Sequence, residues 1–408
     1  MHEIEVIVIG AGAAGVAAGR RLKDHGVNAV VLEARDRVGG RAATVAGELP
    51  LDLGCGWLHS AEENEWTGIA RELGLTIDTT FPPWNRIRNE LSMSAEEQTD
   101  FRATIDQYET RVEKAAREKD RAASTLLEPG NPWNALISAI STYANGVEAD
   151  KLSVVDYDRY YDSGTNWRVT QGYGTTVAGY AKGLDIRLGE AVSRIDHSGK
   201  DIRVTTTRGE LSCRAIIVTI STNLLARETL RFDPPLPEKI AAAGGLPLGL
   251  ADKLFFRIER PDDFPKEGRV FGTKDRIGTG SYHFRPFGRP VIECYFGGEN
   301  ARAMEKGGID AQVTFAREEL ANHFGHDVLK RLKPIISTQW AQDPFALGSY
   351  SAALIGHADA RAALAAPVDD RIFFAGEAVS ARDFTTAHGA LRTGRDAADA
   401  AHAALRKA

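Results

Sequence analysis

Three glycines and an acid near the start of this chain are spaced to grip a nucleotide phosphate. Val6-Ile7-Val8-Ile9 runs into Gly10-Ala11-Gly12-Ala13-Ala14-Gly15, and Glu33 stands about 20 residues beyond the glycines. Gly10 permits a tight turn, Gly12 lets the backbone approach a pyrophosphate, and Gly15 lets a helix pack closely on a sheet. Free N–H groups and the positive dipole end of that helix attract phosphate. The Glu33 carboxylate is placed to accept hydrogen bonds from a ribose diol. A second glycine-rich stretch, Ile372-Phe373-Phe374-Ala375-Gly376-Glu377, stands near the other end. The pair suggests one adenine dinucleotide held by both ends of the polypeptide, and with it redox chemistry. Positioning these groups takes a buried strand at Val6–Ile9, a helix from Ala13 to His25 and a parallel strand at Ala29–Leu32.

The residues just past Glu33 favour FAD over NAD. Arg35, Gly39, Gly40 and Arg41 form a compact stretch whose two arginines can meet phosphate oxygens bidentately. At these residues the chain resembles the flavin-containing amine oxidases, the family of monoamine oxidases, polyamine oxidases and lysine-specific histone demethylases. The resemblance continues through Asp52-Leu53-Gly54-Cys55-Gly56-Trp57-Leu58-His59, Trp340-Ala341-Gln342-Asp343-Pro344, Gly348-Ser349-Tyr350-Ser351 and His388-Gly389-Ala390-Leu391-Arg392-Thr393-Gly394. It spans nearly the whole chain and is loose only from about 80 to 170. It implies an FAD site built from Gly10, Gly12, Ala13, Ala14, Gly15, Glu33, Ala34, Arg35, Gly40, Arg41, Gly56, Trp57, Val192, Trp340, Gly376, Glu377, Thr386 and Ala387. Ser349 stands where monoamine oxidases carry the flavin-bonding cysteine, which implies non-covalent FAD.

Four residues are expected to carry chemistry. Lys253 enters an apolar strand, Leu248 to Phe256, where a lysine either snorkels outward or has a specific partner. The resemblance places it at a water beside flavin N5, to stabilise reduced flavin, aid oxygen or order the water that hydrolyses an imine. Tyr350 matches the first ring of the aromatic cage of monoamine oxidases, or is a packed core tyrosine. The second ring position falls at Thr386, which is not aromatic, and half a cage holds an amine cation less well. His59 resembles the histidine near the reacting amine in animal polyamine oxidases and is a candidate base, or a loop hydrogen-bonder. The Asp156 to Asp162 run reads as acidic groups for a polycation or as a solvated helix or loop.

Composition agrees with a globular enzyme. The 408 residues are 43% hydrophobic and 26% charged, with a formal net charge of −6, enough to bury a large core in two domains. That mild charge argues against nucleic-acid binding. Cys55, Cys213 and Cys294 are odd in number and lack metal-ligand spacing, so no metal is expected and a reducing cytoplasm is. The N-terminal run begins with His2 and Glu3 and lacks a basic segment, unlike a signal peptide. No stretch approaches a membrane span of about 18 apolar residues, so no membrane partner is expected.

The expected fold is α/β: a Rossmann-type FAD-binding domain interleaved with an α+β substrate domain, as in the amine oxidase and glutathione reductase-like FAD folds. The FAD domain takes 1–78, 170–243 and 343–408, and the substrate domain takes 79–169 and 244–342. Helices are expected from Ser92 to Ala123, Trp133 to Ala144, after Gly172, and from Arg395 to Ala408. Strands are expected near 186–188, 191–196, 202–207, 215–219 and 253–258. The implied activity is FAD-dependent amine oxidation, with hydride transfer from the amine α-carbon to N5, imine hydrolysis, and reoxidation by O2 to H2O2. The substrate would be a secondary amine or polyamine, and a homodimer is expected from the family. Two alternatives remain: a flavin desaturase or dehydrogenase using another acceptor, and a non-catalytic flavin-binding interaction protein.

Overall fold

The computed structural model describes residues 4–85 and 90–407; residues 1–3, 86–89 and 408, which fall inside the expected domain segments and the tail helix, lie outside them. The elements that position the site begin, in chain order, with β1 (Val6–Ile9), α1 (Ala13–Asp24), β2 (Ala29–Leu32) and α2 (Ala95–Ala116). Seven strands come next: β3 (Ile186–Arg187), β4 (Val192–Asp196), β5 (Ile202–Thr206), β6 (Gly209–Cys213), β7 (Ala215–Val218), β8 (Arg231–Asp233) and β9 (Ala251–Ile258). The last of these elements are β10 (Gly268–Phe271), β11 (Ser281–Phe284), β12 (Val291–Gly297), β13 (Leu332–Ser337), β14 (Ile372–Phe374) and α3 (Ala387–Leu405).

A five-stranded parallel sheet has the order β14-β7-β1-β2-β3. Its central strand β1 is buried on both faces, which its unbroken run of β-branched residues requires. Between β2 and β3 the chain makes a long excursion, and between β7 and β14 another. The second excursion carries an antiparallel sheet of order β10-β11-β12-β9-β13. A third sheet, β6-β5-β4-β8, takes β4, β5 and β6 from between the two excursions and β8 from the start of the second. Strand β6, absent from the sequence expectations, pairs antiparallel with β5.

The two ends of the chain meet. Helix α3 packs against α1, where Asp399 accepts from Arg21 at 2.7 Å and His402 stacks on His25 at 4.3 Å. Helix α3 begins at Ala387, eight residues ahead of the expected start at Arg395, because Thr386 caps it. Helix α2 is shorter than the expected 92–123. Ser94 accepts from the Glu97 N–H while the Glu97 carboxylate accepts from the Ser94 N–H, a capping box that fixes its start.

Candidate active site

One cavity of about 1730 Å³ runs from the glycine turn after β1 to the face of the antiparallel sheet, larger than ordinary ligand pockets. Of the FAD-site and chemistry-bearing residues expected from sequence, all but Gly15 border it. Gly15 instead packs α1 onto the sheet: a Cβ there would fall 1.8 Å from the Gly10 carbonyl oxygen. Gly10 has φ +98°, in the left-handed region, so the turn needs glycine.

The dinucleotide end is built from backbone. Helix α1 has Gly12 at its N-cap, no side-chain cap and no acid in its first turn, which leaves its leading N–H groups for an anion. Space above Gly12 is open, the nearest atom to a Cβ there being 4.0 Å away. Glu33, 6% exposed at the end of β2, accepts from Ala11 N at 2.7 Å and Arg35 N at 2.9 Å. Each carboxylate oxygen retains a lone pair for a ribose hydroxyl. Open glycine, uncapped helix and buried acid together fit FAD's adenosine and diphosphate.

The two arginines differ. Arg35 forks onto Asp343 with both contacts at 2.7 Å, so its guanidinium fastens the end of β2 to the 343 segment while it borders the cavity. Arg41 donates to Ser349 O at 2.6 Å and to Glu377 at 2.9 Å, and is partly exposed. Glu377 also accepts from Ser351 Oγ at 2.6 Å and Thr385 N at 3.1 Å. Burial opposes its charge, but Arg41, Ser351 and Arg361 outweigh that and hold its carboxyl below the usual range.

Lys253 projects from β9, its Nζ donating to Asp52 O at 3.0 Å and pairing with Glu293 at 2.7 Å. It lies beside the 52–57 loop, 3.6 Å from where a Cβ on Gly56 would be. Burial favours the neutral amine, yet Glu293, Tyr295 and Asp52 raise the ammonium above its ordinary range. Tyr350 stands on the wall with its hydroxyl donated to Tyr143 O and 3.3 Å from the Tyr295 hydroxyl. His59 Nδ1 is 2.5 Å from Asn166 Oδ1 and 3.4 Å from Asp162.

Thr386 borders the cavity, but its hydroxyl donates to Asp383 O at 2.5 Å and accepts from Gly389 N at 3.0 Å. That group caps the helix with its proton committed to Asp383, while one lone pair remains. The Asp156 to Asp162 run divides. Asp156 is buried in a fork with Arg361 at 2.7 and 2.8 Å, Asp158 borders the cavity, and Asp162 accompanies His59.

Sequence reasoning missed Glu293, Tyr295 and Asn166. Glu293 carried a usable signal, an acid inside the apolar run Val291 to Phe296, the same anomaly that marked Lys253. It also missed that α2 turns Asp106, Glu109 and Glu113 toward the cavity, residues at helical spacing.

A glycine turn into an uncapped helix, a buried acid closing the next strand, and a cavity shared with a lysine-bearing sheet define an FAD-dependent oxidoreductase. The family model of flavin-containing amine oxidoreductases matches residues 13–141 and 135–402, and the chain belongs to that family. It is 30% identical to polyamine oxidase 4 of Oryza sativa subsp. japonica, over 97% of this chain and 88% of that protein. It is 29% identical to polyamine oxidase 2 of Arabidopsis thaliana, over 97% and 87%. The fold is that of cyclohexylamine oxidase from Brevibacterium oxydans IH-35A, with TM-score 0.82 at 20% identity over 99% of this chain and 100% of that one. Among the described residues no helix is long and apolar enough to cross a membrane.

Proposed function

We propose that this chain is an oxidase that oxidises the carbon next to the nitrogen of a secondary amine or polyamine, releases an imine that hydrolyses to a carbonyl, and passes the electrons to O2 as H2O2. The observation that carries the reading is Lys253, a buried ammonium in the same cavity as the dinucleotide cradle. FAD, held non-covalently, supplies the two-electron acceptor. Asn166 Oδ1 accepts from His59 Nδ1, and Asn166 Nδ2 is engaged with Gly164 O at 3.2 Å, which fixes the amide's direction. That leaves His59 Nε2 to take a proton from an arriving ammonium, since only a neutral amine can give up a hydride.

Charge on the cavity wall supports a cationic substrate. Burial and Asp106 push the Glu109 carboxyl up, while burial and Glu113 do the same to Asp158. A bound cation relieves that crowding. The polyamine oxidases among the relatives agree with this. The same reading keeps the division of the chain into FAD segments 1–78, 170–243 and 343–408 and substrate segments 79–169 and 244–342. It also keeps a cytoplasmic setting and a homodimer.

The test is anaerobic mixing with a panel of monoamines, polyamines, cyclic amines and amino acids while the oxidised flavin band is followed. Bleaching by polyamines or secondary amines, reversed by air with H2O2 release, is the expected result. Bleaching without recovery in air points to another electron acceptor, and no bleaching by any amine overturns the reading.

A further inference from the structure

We propose that Glu293 is a positioning residue for Lys253, a carboxylate that sets the direction and balances the charge of the lysine facing the flavin. The inference rests on the assignment of Lys253 under the proposed function and adds a partner to it. Lys253 on β9 lies opposite Tyr295 on β12, and Glu293 is two residues along β12 on the same face. Such diagonal neighbours are about 7–8 Å apart, within reach of long side chains. The contact closes at 2.7 Å.

An ammonium has three protons to give. Lys253 gives one to Glu293 and one to Asp52 O, so two fixed bonds from two different elements direct the third toward the cavity. The neighbouring charges are already matched. Glu267 takes both His283, at 2.7 Å, and Arg168, at 2.8 Å, and Arg168 also reaches Asp78 at 2.7 Å. Among the described residues, Lys253 is the ion-pair partner of Glu293.

Groups facing Lys253 are Glu293 and Tyr295 from β12 and Asp52 from the short strand at 51–52. Those facing Glu293 are Lys253 from β9, His283 from β11, Arg168 from the strand at 168–169 and Asp52 from the strand at 51–52. Lys253 is 5% exposed and would be costly to charge alone. With Glu293 ionised the two cancel, and the wall presents an oriented N–H with no net charge. With Glu293 neutral, the same wall presents an uncompensated cation, which favours electron-rich reduced flavin.

The experiment measures the flavin midpoint potential of the holoenzyme by dye equilibration with a chemical reductant, in wild type, E293Q, E293D, K253M and K253M/E293Q. Glu293→Gln is expected to raise the two-electron reduction equilibrium at least tenfold, a shift of about 30 mV. Lys253→Met shifts the potential downward, the double variant returns close to wild type, and Glu293→Asp retains most of the wild-type value. In E293Q the pH profile of reoxidation also gains a break at lower pH than in wild type, because Lys253 has lost its closest counter-charge. An unchanged potential in E293Q, or a double variant whose potential stays at the E293Q value, overturns the proposal. Should E293Q fail to fold, wild type and K253M against K253M/E293Q carry the comparison, since the double variant buries no unpaired charge; a double variant that keeps the K253M potential overturns the proposal. No amine is needed for this measurement, so failure of the substrate assignment leaves it standing.

Discussion

Gly12 and Gly15 stand three residues apart and should fail in different ways when a methyl group is added. At Gly15 the new Cβ would lie 1.8 Å from Gly10 O and 2.9 Å from Gly10 C. The closest ordinary carbon–oxygen approach is about 3.3 Å, an overlap of roughly 1.5 Å. Both obstacles are backbone at the end of β1, so α1 itself must move outward by about that much. Its N–H groups then leave the diphosphate position, and each charge-assisted hydrogen bond is worth about 1.5–3 kcal/mol, or roughly 10- to 100-fold in affinity per bond. Gly12, with φ −74° and open space above it, holds an alanine without strain; only the ligand meets the methyl. Two assays separate the cases: thermal unfolding of the apoprotein, and titration of apoprotein with FAD by quenching of flavin fluorescence. Gly15→Ala should lower both stability and FAD affinity, whereas Gly12→Ala should weaken FAD binding in an apoprotein that melts like wild type. The reasoning fails if Gly15→Ala melts and binds FAD as wild type does, or if Gly12→Ala retains native affinity.

Thr386→Ala should cost about 1 kcal/mol of stability, the ordinary worth of an N-cap, while kcat changes less than twofold; a large fall in kcat with unchanged melting would return Thr386 to the chemistry. Glu267 is held at about 2 against an ordinary 4.5, because His283 and Arg168 outweigh its burial. Its folded value is depressed, so its contribution, about 3 kcal/mol, is present above pH 4.5 and lost as pH falls toward 2. The melting deficit of Glu267→Gln should therefore be largest near neutrality and narrow between pH 5 and 3, and a deficit independent of pH would contradict this. Ser349 Oγ bridges the N–H and carbonyl of Ala251 at 2.9 and 2.8 Å, so acid precipitation should release all the flavin into the supernatant; yellow colour retained in the washed pellet would show a covalent link.

Legibility in the sequence depends on range. The β1–α1–β2 unit can be read because its glycines, helix and acid lie within 33 residues and each answers a local backbone demand. The fork of Arg35 onto Asp343 cannot be read because its partner is 308 positions away, nor the burial of Asp156, whose partner Arg361 is 205 away. A charge's partner, unlike a turn's geometry, is fixed by tertiary contact and leaves no mark beside it. The cap at Thr386 is hidden for another reason. A threonine before a helix has the same local appearance whether it caps the helix or meets a ligand, and only the paired bonds to Asp383 O and Gly389 N distinguish them. Glu293 is legible by the rule that finds Lys253, although the sequence reading passes over it. The inward face of α2 cannot be read, since spacing shows which residues share a face and not what that face meets.

The place of β14 in the parallel sheet sets a timetable for biosynthesis. It pairs with β7, from which more than 150 residues separate it, and β1 lies a further strand inward. At about 5–20 residues per second, the ribosome takes roughly 20 to 70 s to pass from β1 to β14. For the last 150 or so residues of that passage, about 8 to 30 s at those rates, β7 exists with one edge open, an Ala-Ile-Ile-Val ladder without a neighbour. The newborn chain therefore passes through a sticky, flavin-incompetent stage that lasts until its final helix has been made, and cofactor loading belongs to the finished polypeptide.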